Sequence, residues 1–390
     1  MSKTRPVPRA AKDAPDRLRR SKQAAGHDRE LSDLRQQIDR IDRRMLDLLN
    51  RRAKVAIEIG KAKAARNLEF HSPSREREIY ERLCAENRGP FPNEALRAVF
   101  REVFSASLSL EKPLTVSFLG PCGTFTHLAC MEHFGRSGRF LPERNLREVF
   151  DALDRGRVHY GVIPIENSAE GLIAHTLDLF MDFDVKICAE IFLEVTLDLL
   201  SRSAAVENVR RVYSHPHAVA QCRSWLDAHL PQVEITDVES TVRAAEMASM
   251  EPHSAAVATG FAGKLFDLNV LEPGIQDGPF NYTRFLVVGR KDAEKTGRDK
   301  TSLMFYTRDR IGALYEALKP FAQNRVSVTR IESRPHRTRA WESVFFLDIQ
   351  GHRSDARIRK ALEEFGKVIR EVKLLGSYPQ GEPRHYGACG

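Results

Sequence analysis

Two cations in one helical segment have the spacing to bind a small anion. Residues 31–63 repeat apolar side chains at alternating steps of three and four, which predicts a helix with one apolar stripe. Arg52 lies on this stripe, and Lys63 returns to within roughly 20° of it around the helix axis. A guanidinium in a buried stripe needs a fixed anion, because it cannot lose its proton. The pattern predicts a dianion site; a core arginine paired with a structural carboxylate is the alternative.

The helix that carries these cations has no long apolar partner next to it in the sequence. We therefore expect it to pair with other helices, including those of a second copy of the chain. Helical patterns begin again at Pro73 and at Asn93. Three helices with inward-facing cations would surround a small dianion rather than a polymer.

The order of three sequences, LRQQIDRIDRRMLDLLNRR, EIGKAK and SREREI, resembles the all-helical chorismate mutase family over residues 31–112. In that family two chains intertwine, and each site takes an arginine from the partner chain. The resemblance implies that Arg35 is this donated arginine and that Arg52 and Arg75 clamp carboxylates. It also implies that Lys63 lies near the ether bond that breaks.

The resemblance implies ligand roles on the two shorter helices as well. Glu76 would bind the substrate hydroxyl, Ser107 a carboxylate, and Glu111 would face the ether oxygen. Ser72 stands where relatives often have aspartate, and we include it as a substrate contact. A Claisen rearrangement needs no nucleophile or base, only a folded substrate and positive charge or donors at the ether oxygen.

The overall composition is that of a globular protein of 390 residues with a net charge of +8. Residues 1–30 contain nine Lys or Arg and four Asp or Glu, which gives 9 − 4 = 5 of those charges. This basic, proline-containing tail is expected to be disordered. The remaining charge is too small to favour nucleic acid as a partner, and no apolar stretch suits a membrane span or secretory signal. We expect a cytoplasmic protein without a membrane partner.

No cysteine or histidine spacing is typical of a metal site. The six cysteines are scattered, and His215 and His217 flank Pro216 without an acidic or Cys ligand nearby. We predict no metal. The reactions inferred here also need no organic cofactor, because they transfer neither electrons nor a group to a carrier.

Residues 113–290 alternate short apolar runs with helical stretches, which predicts an α/β domain with a mainly parallel sheet. Three polar segments follow or open strands, where ligands of such sheets bind: GPCGTFTH, PIENSAEG and FNYTRFLVV. The first has glycines that let backbone N–H groups approach an anion. Alone, this segment is weak evidence for an anion site, since glycine-rich turns between strand and helix are common.

Together with YSHPHAVAQC, these segments resemble prephenate dehydratase over about 175 residues. The resemblance implies a two-lobed fold like that of periplasmic binding proteins, with prephenate in the cleft. It implies that Thr283 is the essential threonine and that Asn167 and Gln221 are the substrate-handling amides. We add three expected substrate ligands: Thr124, Ser168 and Arg284. A purely structural role of Thr283 within its strand is the alternative.

A charged segment, residues 291–300, is expected to be a solvated linker to a last domain, residues 301–378, and a tail, residues 379–390. The last domain shows the order strand, helix, strand, strand, helix, strand, which predicts a ferredoxin-like α+β fold. GALYEAL and ESRP resemble the phenylalanine-binding motifs of the ACT regulatory domain. The implied effector residues are Gly312, Ala313, Leu314, Glu332, Ser333, Arg334 and Pro335.

The sequence as a whole predicts a multidomain enzyme that rearranges chorismate to prephenate and then converts prephenate to phenylpyruvate. Phenylalanine is the expected feedback inhibitor, and the expected assembly is a homodimer or higher homo-oligomer. Three alternatives remain: a dehydratase with an inactive mutase scaffold, a non-catalytic amino-acid-binding regulator, and an ACT domain that serves only as a dimerisation sheet.

Overall fold

The structure is a computed structural model. It describes residues 14–66, 71–169, 171–278, 281–307, 310–335, 343–369 and 371–382, with side chains described from residue 30 onward. The chain divides into two compact units, Met1–Leu68 and Glu69–Gly390. Residues 1–13 of the basic tail and 383–390 at the C-terminus lie outside the described residues.

Helix α1 makes up the described part of the first unit and spans Ala14–Ala65. Its start corrects the expectation of disorder for residues 14–30. Alanine, arginine, lysine, glutamine and glutamate favour the helical state, and Pro15 stands in the first turn, where its missing N–H costs nothing. The eight residues of the apolar stripe are 47–61% exposed in the single chain: Leu31, Leu34, Ile38, Ile41, Met45, Leu48, Val55 and Ile59.

The second unit begins with two helices, α2 (Pro73–Glu86) and α3 (Asn93–Glu111). They pack through Tyr80 of α2 and Phe104 of α3, whose ring centroids lie 5.1 Å apart. Phe100 of α3 extends this contact along its own helix, 5.9 Å from Phe104. Proline in the first turn starts α2 with a preset backbone angle. α3 ends two residues before Pro113, which cannot continue a helix.

The first lobe of the α/β region follows in the chain. Its elements are β1 (Thr115–Leu119), α4 (Phe125–Phe134), β2 (Arg139–Glu143), α5 (Leu146–Asp154), β3 (Tyr160–Asn167), β4 (Gly171–Leu172), α6 (Ala174–Asp182) and β5 (Lys186–Glu194). β1 pairs in parallel with β2 and β3. The adjacent residues Val162 and Ile163 of β3 are apolar and fully buried on opposite faces of the sheet, as is typical of parallel strands covered on both sides.

The second lobe is inserted after β5. Its elements are β6 (Asp198–Ser201), β7 (Arg211–Ser214), α7 (Pro216–Gln221), α8 (Arg223–His229), β8 (Glu234–Asp237), α9 (Thr241–Met250), β9 (Ser254–Ala258), α10 (Gly260–Leu265) and β10 (Asn269–Glu272), with a short 3-10 helix at Val206–Asn208. The strand order is β10-β6-β9-β7-β8.

The chain then returns to the first lobe as β11 (Tyr282–Gly289), which inserts between β3 and β5 antiparallel to both. The prediction of a mainly parallel sheet was therefore wrong, because both sheets of the α/β region mix parallel and antiparallel pairs. A chain that leaves one lobe and re-enters it must run back against the strands already there. The two-lobed fold implied by the resemblance is confirmed.

The last domain consists of β12 (Asp299–Tyr306), α11 (Ala313–Gln323), β13 (Val328–Pro335), β14 (Ser343–Gln350), α12 (Ala356–Val368) and β15 (Glu371–Pro379). The antiparallel order β13-β14-β12-β15 is the ferredoxin-like order that the sequence predicted. Its two helices cover one face of the sheet, where Phe305, Phe321 and Phe365 are fully buried.

The other face of this sheet shares a hydrophobic core with the first lobe. Met304, Phe346 and Leu375 belong to the same buried cluster as Phe180 and Ile187 of the first lobe. The expected linker is thus ordered at its end: Asp299 and Lys300 are buried, and Lys300 Nζ lies 2.8 Å from Glu190 Oε1 of β5. A counter-charge allows lysine to be buried, which composition alone does not reveal.

Candidate active site

Two neighbouring strand ends bring together a threonine and an amide. Asn167 ends β3 and lies directly opposite Thr283 of β11. The Asn167 Nδ2 group donates to Thr283 Oγ1 at 2.9 Å, and the Asn167 Oδ1 atom accepts from the Ala169 N–H at 2.8 Å. The amide is therefore held at both ends. Because the Thr283 oxygen accepts a hydrogen bond, its own hydrogen remains available to donate to a bound group.

A second asparagine connects this pair to the other lobe. Asn281 Oδ1 accepts from Asn167 Nδ2 at 3.1 Å, and Asn281 Nδ2 donates to Gln221 Oε1 at 2.7 Å. Gln221 ends α7, so the chain of amides crosses the cleft between the lobes. Asn281 and Thr283 are only 6% and 8% exposed. The structure thus brings together Thr283, Asn167 and Gln221, and it adds Asn281.

The sequence contained a signal for Asn281 that we did not use. Asn281 is two residues before Thr283, and alternate residues of a strand share a face. Asn281 directly precedes β11, so continued extended chain predicts its amide on the same side of the sheet as Thr283. The resulting row of amides is neutral, so it can orient a substrate oxygen by donating and accepting hydrogen bonds without adding charge.

Two other expected ligands border the cleft through different contacts. Ser168 Oγ accepts from the Tyr282 N–H at 2.9 Å, which fastens the end of β3 to the start of β11. Thr124 caps α4, where its hydroxyl accepts from the His127 N–H at 3.4 Å and donates to the Pro121 carbonyl at 3.0 Å. Their roles as substrate ligands remain predictions.

The GPCGTFTH loop is fixed by a neutral histidine. His127 Nδ1 accepts from the Gly123 N–H at 3.1 Å, and its ring stacks on Phe118 at 4.9 Å. Burial lowers the pKa of His127, which favours the neutral ring that can accept this bond. Gly123 has φ +98°, and a Cβ there would lie 2.8 Å from Leu265, so this position requires glycine.

Arg284 does not line the Thr283 site, and its predicted role as a substrate ligand is wrong for this cleft. Its guanidinium is buried on the opposite face of the sheet, with Nε 2.8 Å from Glu190 Oε2 and Nη2 3.0 Å from Asp348 Oδ2. Consecutive residues of a strand point to opposite faces, so Thr283 and Arg284 cannot both face the cleft. Burial lowers the pKa of Arg284, but Tyr378 and the two carboxylates more than offset it.

The α2 and α3 residues that are expected to bind chorismate contact side chains and backbone atoms close to them in the sequence. Arg75 pairs with Glu78 at 2.6 Å, both largely exposed, and Glu76 lies 3.5 Å from His71. Ser72 Oγ is 3.1 Å from Ser74 Oγ. Ser107, which is buried, donates to the Val103 carbonyl at 2.7 Å, and Glu111 is the last residue of α3.

The expected chorismate ligands of α1 belong to the first unit. Arg52 and Lys63 are partly buried, whereas Arg35 is exposed. The exposed stripe on the same helix leaves room for a further helix against it. How the α1 cations and the α2 and α3 ligands combine into one site remains a prediction.

The expected effector residues occupy two segments of the ACT domain. Gly312 precedes α11 with φ +79°, and Leu314 and Tyr315 beside it are 37% and 67% exposed. In β13, Glu332 Oε1 accepts from Arg330 Nη2 at 3.1 Å, and Arg334 Nε lies 3.5 Å from Asp178 of α6. Three further effector candidates lie in these same segments: Ala313, Ser333 and Pro335.

The residues that the structure describes contain neither a membrane-spanning helix nor a cluster of metal ligands. No helix there is both long and apolar enough to cross a membrane. Over the same ranges, no three His, Cys, Asp or Glu side chains converge as the ligands of a metal ion would.

Family models match three consecutive parts of the chain: chorismate mutase type II over residues 34–112, prephenate dehydratase over 116–293 and the ACT domain over 301–367. The bifunctional chorismate mutase/prephenate dehydratase of Aquifex aeolicus (strain VF5) is 48% identical over 355 residues, covering 90% of this chain and 98% of that protein. The protein of the same name from Stutzerimonas stutzeri is 42% identical over 357 residues, with the same coverages.

Among solved structures, a prephenate dehydratase from Arthrobacter aurescens in complex with L-Phe is similar, with a TM-score of 0.64 and 34% identity. The match covers 68% of this chain and 90% of that one. The multidomain fold class and the two enzyme classes predicted from the sequence are thereby confirmed. Full-length relatives and three family models in the same order show that this chain belongs to the bifunctional chorismate mutase/prephenate dehydratase family, with a C-terminal ACT domain.

Proposed function

We propose that this chain catalyses two consecutive reactions and regulates the second. Residues 31–112 rearrange chorismate to prephenate, residues 113–290 convert prephenate to phenylpyruvate, and residues 301–378 bind phenylalanine as inhibitor. The observation that carries the proposal is the Asn167–Thr283 hydrogen bond at the cleft between two lobes, joined to Gln221 through Asn281. We place the enzyme in the cytoplasm.

In the dehydratase step, the ring carboxylate leaves as carbon dioxide and its bonding electrons enter the ring. The C–O bond to the ring hydroxyl breaks, and the hydroxyl leaves as water after taking a proton. Aromatisation drives the reaction, so the enzyme need only hold the substrate and provide a donor at the departing oxygen. We assign this donor role to Thr283, with Asn167 fixing its oxygen and Gln221 orienting the substrate from the second lobe.

A threonine hydroxyl is too weak an acid to give up its proton unaided. We therefore assign Thr283 a hydrogen bond to the leaving oxygen, with any proton relayed through it rather than lost from it. The neutral amide beside it suits this role, because Asn167 donates to the Thr283 oxygen and leaves the hydroxyl hydrogen for the substrate. Ser168 and Thr124 complete the cleft as substrate-binding residues.

In the mutase step, the protein supplies charge and shape only. Arg52 and Arg75 hold the two substrate carboxylates, and Lys63 and Glu111 face the ether oxygen as it gains electron density. Glu111 donates there only as the protonated acid. Three further residues bind the remaining polar groups of the substrate: Ser72, Glu76 and Ser107.

The mutase site needs a second copy of the chain in this proposal. The α1 stripe exposes eight large apolar residues in the single chain, and a surface of that kind is typical of a helix that pairs with another. Arg35, exposed on the same helix, would enter the partner's site. We therefore propose at least a homodimer.

Replacing Ser333 by alanine tests the effector site. Loss of one hydrogen bond to phenylalanine should raise the half-inhibitory concentration on the order of tenfold, while turnover without phenylalanine stays within about twofold. Ser327→Ala is the matched control, because Ser327 is an exposed serine of the same domain outside both effector segments. Identical inhibition curves for Ser333→Ala and the unmodified protein would remove Ser333 from the site.

One time course tests the whole proposal. Purified protein is given chorismate, and prephenate and phenylpyruvate are followed with and without phenylalanine. Phenylpyruvate that forms from chorismate, and forms more slowly with phenylalanine, is the expected result. If added prephenate is converted but chorismate is not, the helical domain is a scaffold without mutase activity. Equilibrium dialysis that shows binding without turnover would make the chain a non-catalytic regulator.

A further inference from the structure

Glu166 and Arg284 are the immediate neighbours of the two central dehydratase residues. They face each other across β3 and β11, next to the Asn167–Thr283 pair. Strand alternation turns their side chains to the face opposite the cleft, where both contact the ACT domain. Any force on these two side chains therefore acts on the strand ends that hold Asn167 and Thr283.

Arg330 of β13 forms two ion pairs from one guanidinium. Its Nη1 donates to Glu166 Oε2, and its Nη2 lies 3.1 Å from Glu332 Oε1. Glu332 belongs to the proposed effector segment, whereas Glu166 belongs to the dehydratase sheet. A guanidinium holds its donors in a rigid fork, so it can bind two carboxylates in a fixed mutual geometry. Arg330 thus links the two segments directly.

The surroundings of Arg330 permit its ion pairs to change. A polar cavity of about 360 Å³ opens beside it and is lined by both signs of charge. The Arg330 and Glu166 side chains are 21% and 33% exposed, so neither is locked in a dry core. By contrast, the Arg284–Glu190 pair of the first lobe is almost completely buried, with side chains 8% and 0% exposed. This buried pair contacts the ACT sheet through Asp348 and Lys300 and holds the domains together, whereas Arg330 is the partner able to move.

We propose that Arg330 is a positioning residue that couples the effector segment to the dehydratase site through Glu166. This inference rests on the proposed function. An amino-acid effector whose ammonium group binds Glu332 competes with Arg330 for that carboxylate. Arg330 then pairs with Glu166 alone, and this stronger ion pair shifts the end of β3 against β11. The Asn167–Thr283 hydrogen bond, which depends on this register, loses its alignment and turnover falls.

The experiment uses full-length Arg330→Gln and Glu166→Gln, which keep hydrogen-bonding groups of similar size but remove the ion pair. The ratio of prephenate turnover without and with saturating phenylalanine should fall at least about fivefold in each variant. The double variant should behave like either single one, because both act on one interaction. Arg359→Gln, an exposed arginine of α12, is the matched control and should keep the full ratio.

Calorimetry separates coupling from binding. Phenylalanine should bind Arg330→Gln at least as tightly as the unmodified protein, because its competitor for Glu332 is gone. In both variants prephenate should no longer weaken that binding, because coupling is reciprocal. Full inhibition in both variants, or loss of phenylalanine binding itself, would overturn the proposal. So would additive effects in the double variant. Failure of the proposed function would appear earlier, as unmodified protein that does not convert prephenate.

Discussion

Thr283→Ala should lower prephenate turnover on the order of 10³-fold while mutase turnover stays within about twofold. The reason is that Thr283 presents the hydroxyl that the Asn167 amide holds at the cleft. Without it, the departing oxygen loses its donor, and Asn167 loses one of its acceptors. Phenylpyruvate formation from prephenate and prephenate formation from chorismate are measured on the same preparation.

Two further substitutions separate chemistry from packing at this position. Thr283→Ser keeps the hydroxyl and should retain at least about a tenth of the turnover, whereas the isosteric Thr283→Val should be as inactive as alanine. Thr236→Val is a control, because Thr236 is a partly buried threonine at the edge strand β8. An active Thr283→Val would contradict the donor role, and an equal loss of both activities in a folded variant would contradict separate sites.

Arg52→Ala should have the opposite effect and lower mutase turnover on the order of 10³-fold, with dehydratase turnover within about twofold. The rearrangement depends on fixed positive charge, and alanine removes a carboxylate clamp that no other residue of the same stripe replaces in the proposed site. Arg52→Lys should recover little, because lysine keeps the charge but not the two parallel donors that a carboxylate accepts. Chorismate consumption measures the effect.

The neighbouring arginine provides a matched control. Arg51 precedes Arg52 on the same helix, but its side chain is 72% exposed and pairs with Asp47 at 2.9 Å. Arg51→Ala should keep mutase turnover within about twofold, since exposed pairs of this kind contribute little. If both alanine variants lose the same activity, the loss reflects general charge around α1, and the specific role of Arg52 is wrong.

The tertiary structure corrects the sequence most clearly at residues next to correct predictions. Thr283 was predicted from its motif and lies at the cleft, but Arg284, one residue later, lies in a buried cluster with Glu190 and Asp348. Asn281 was overlooked and joins Gln221 to Asn167. A motif indicates that a segment is functional, whereas the face on which each side chain lies depends on strand register.

Charged segments show the same limit. Residues 14–30 and 291–300 both had compositions typical of solvated chain, yet α1 begins at Ala14 and Lys300 is buried. A charged composition predicts exposure because burying a charge costs free energy on average. It cannot reveal that Glu190, from a strand more than a hundred residues away, pairs with Lys300 and reduces this cost.

The sequence by itself determined the family, the order of domains and the ferredoxin-like order of the last one, because these follow from local periodicity and from motifs of contiguous residues. Only the tertiary structure decided which amides meet Thr283, that the α/β sheets are mixed, and that the ACT sheet shares a core with the first lobe. Those features depend on contacts between residues far apart in the chain, and local side-chain patterns contain no record of such partners.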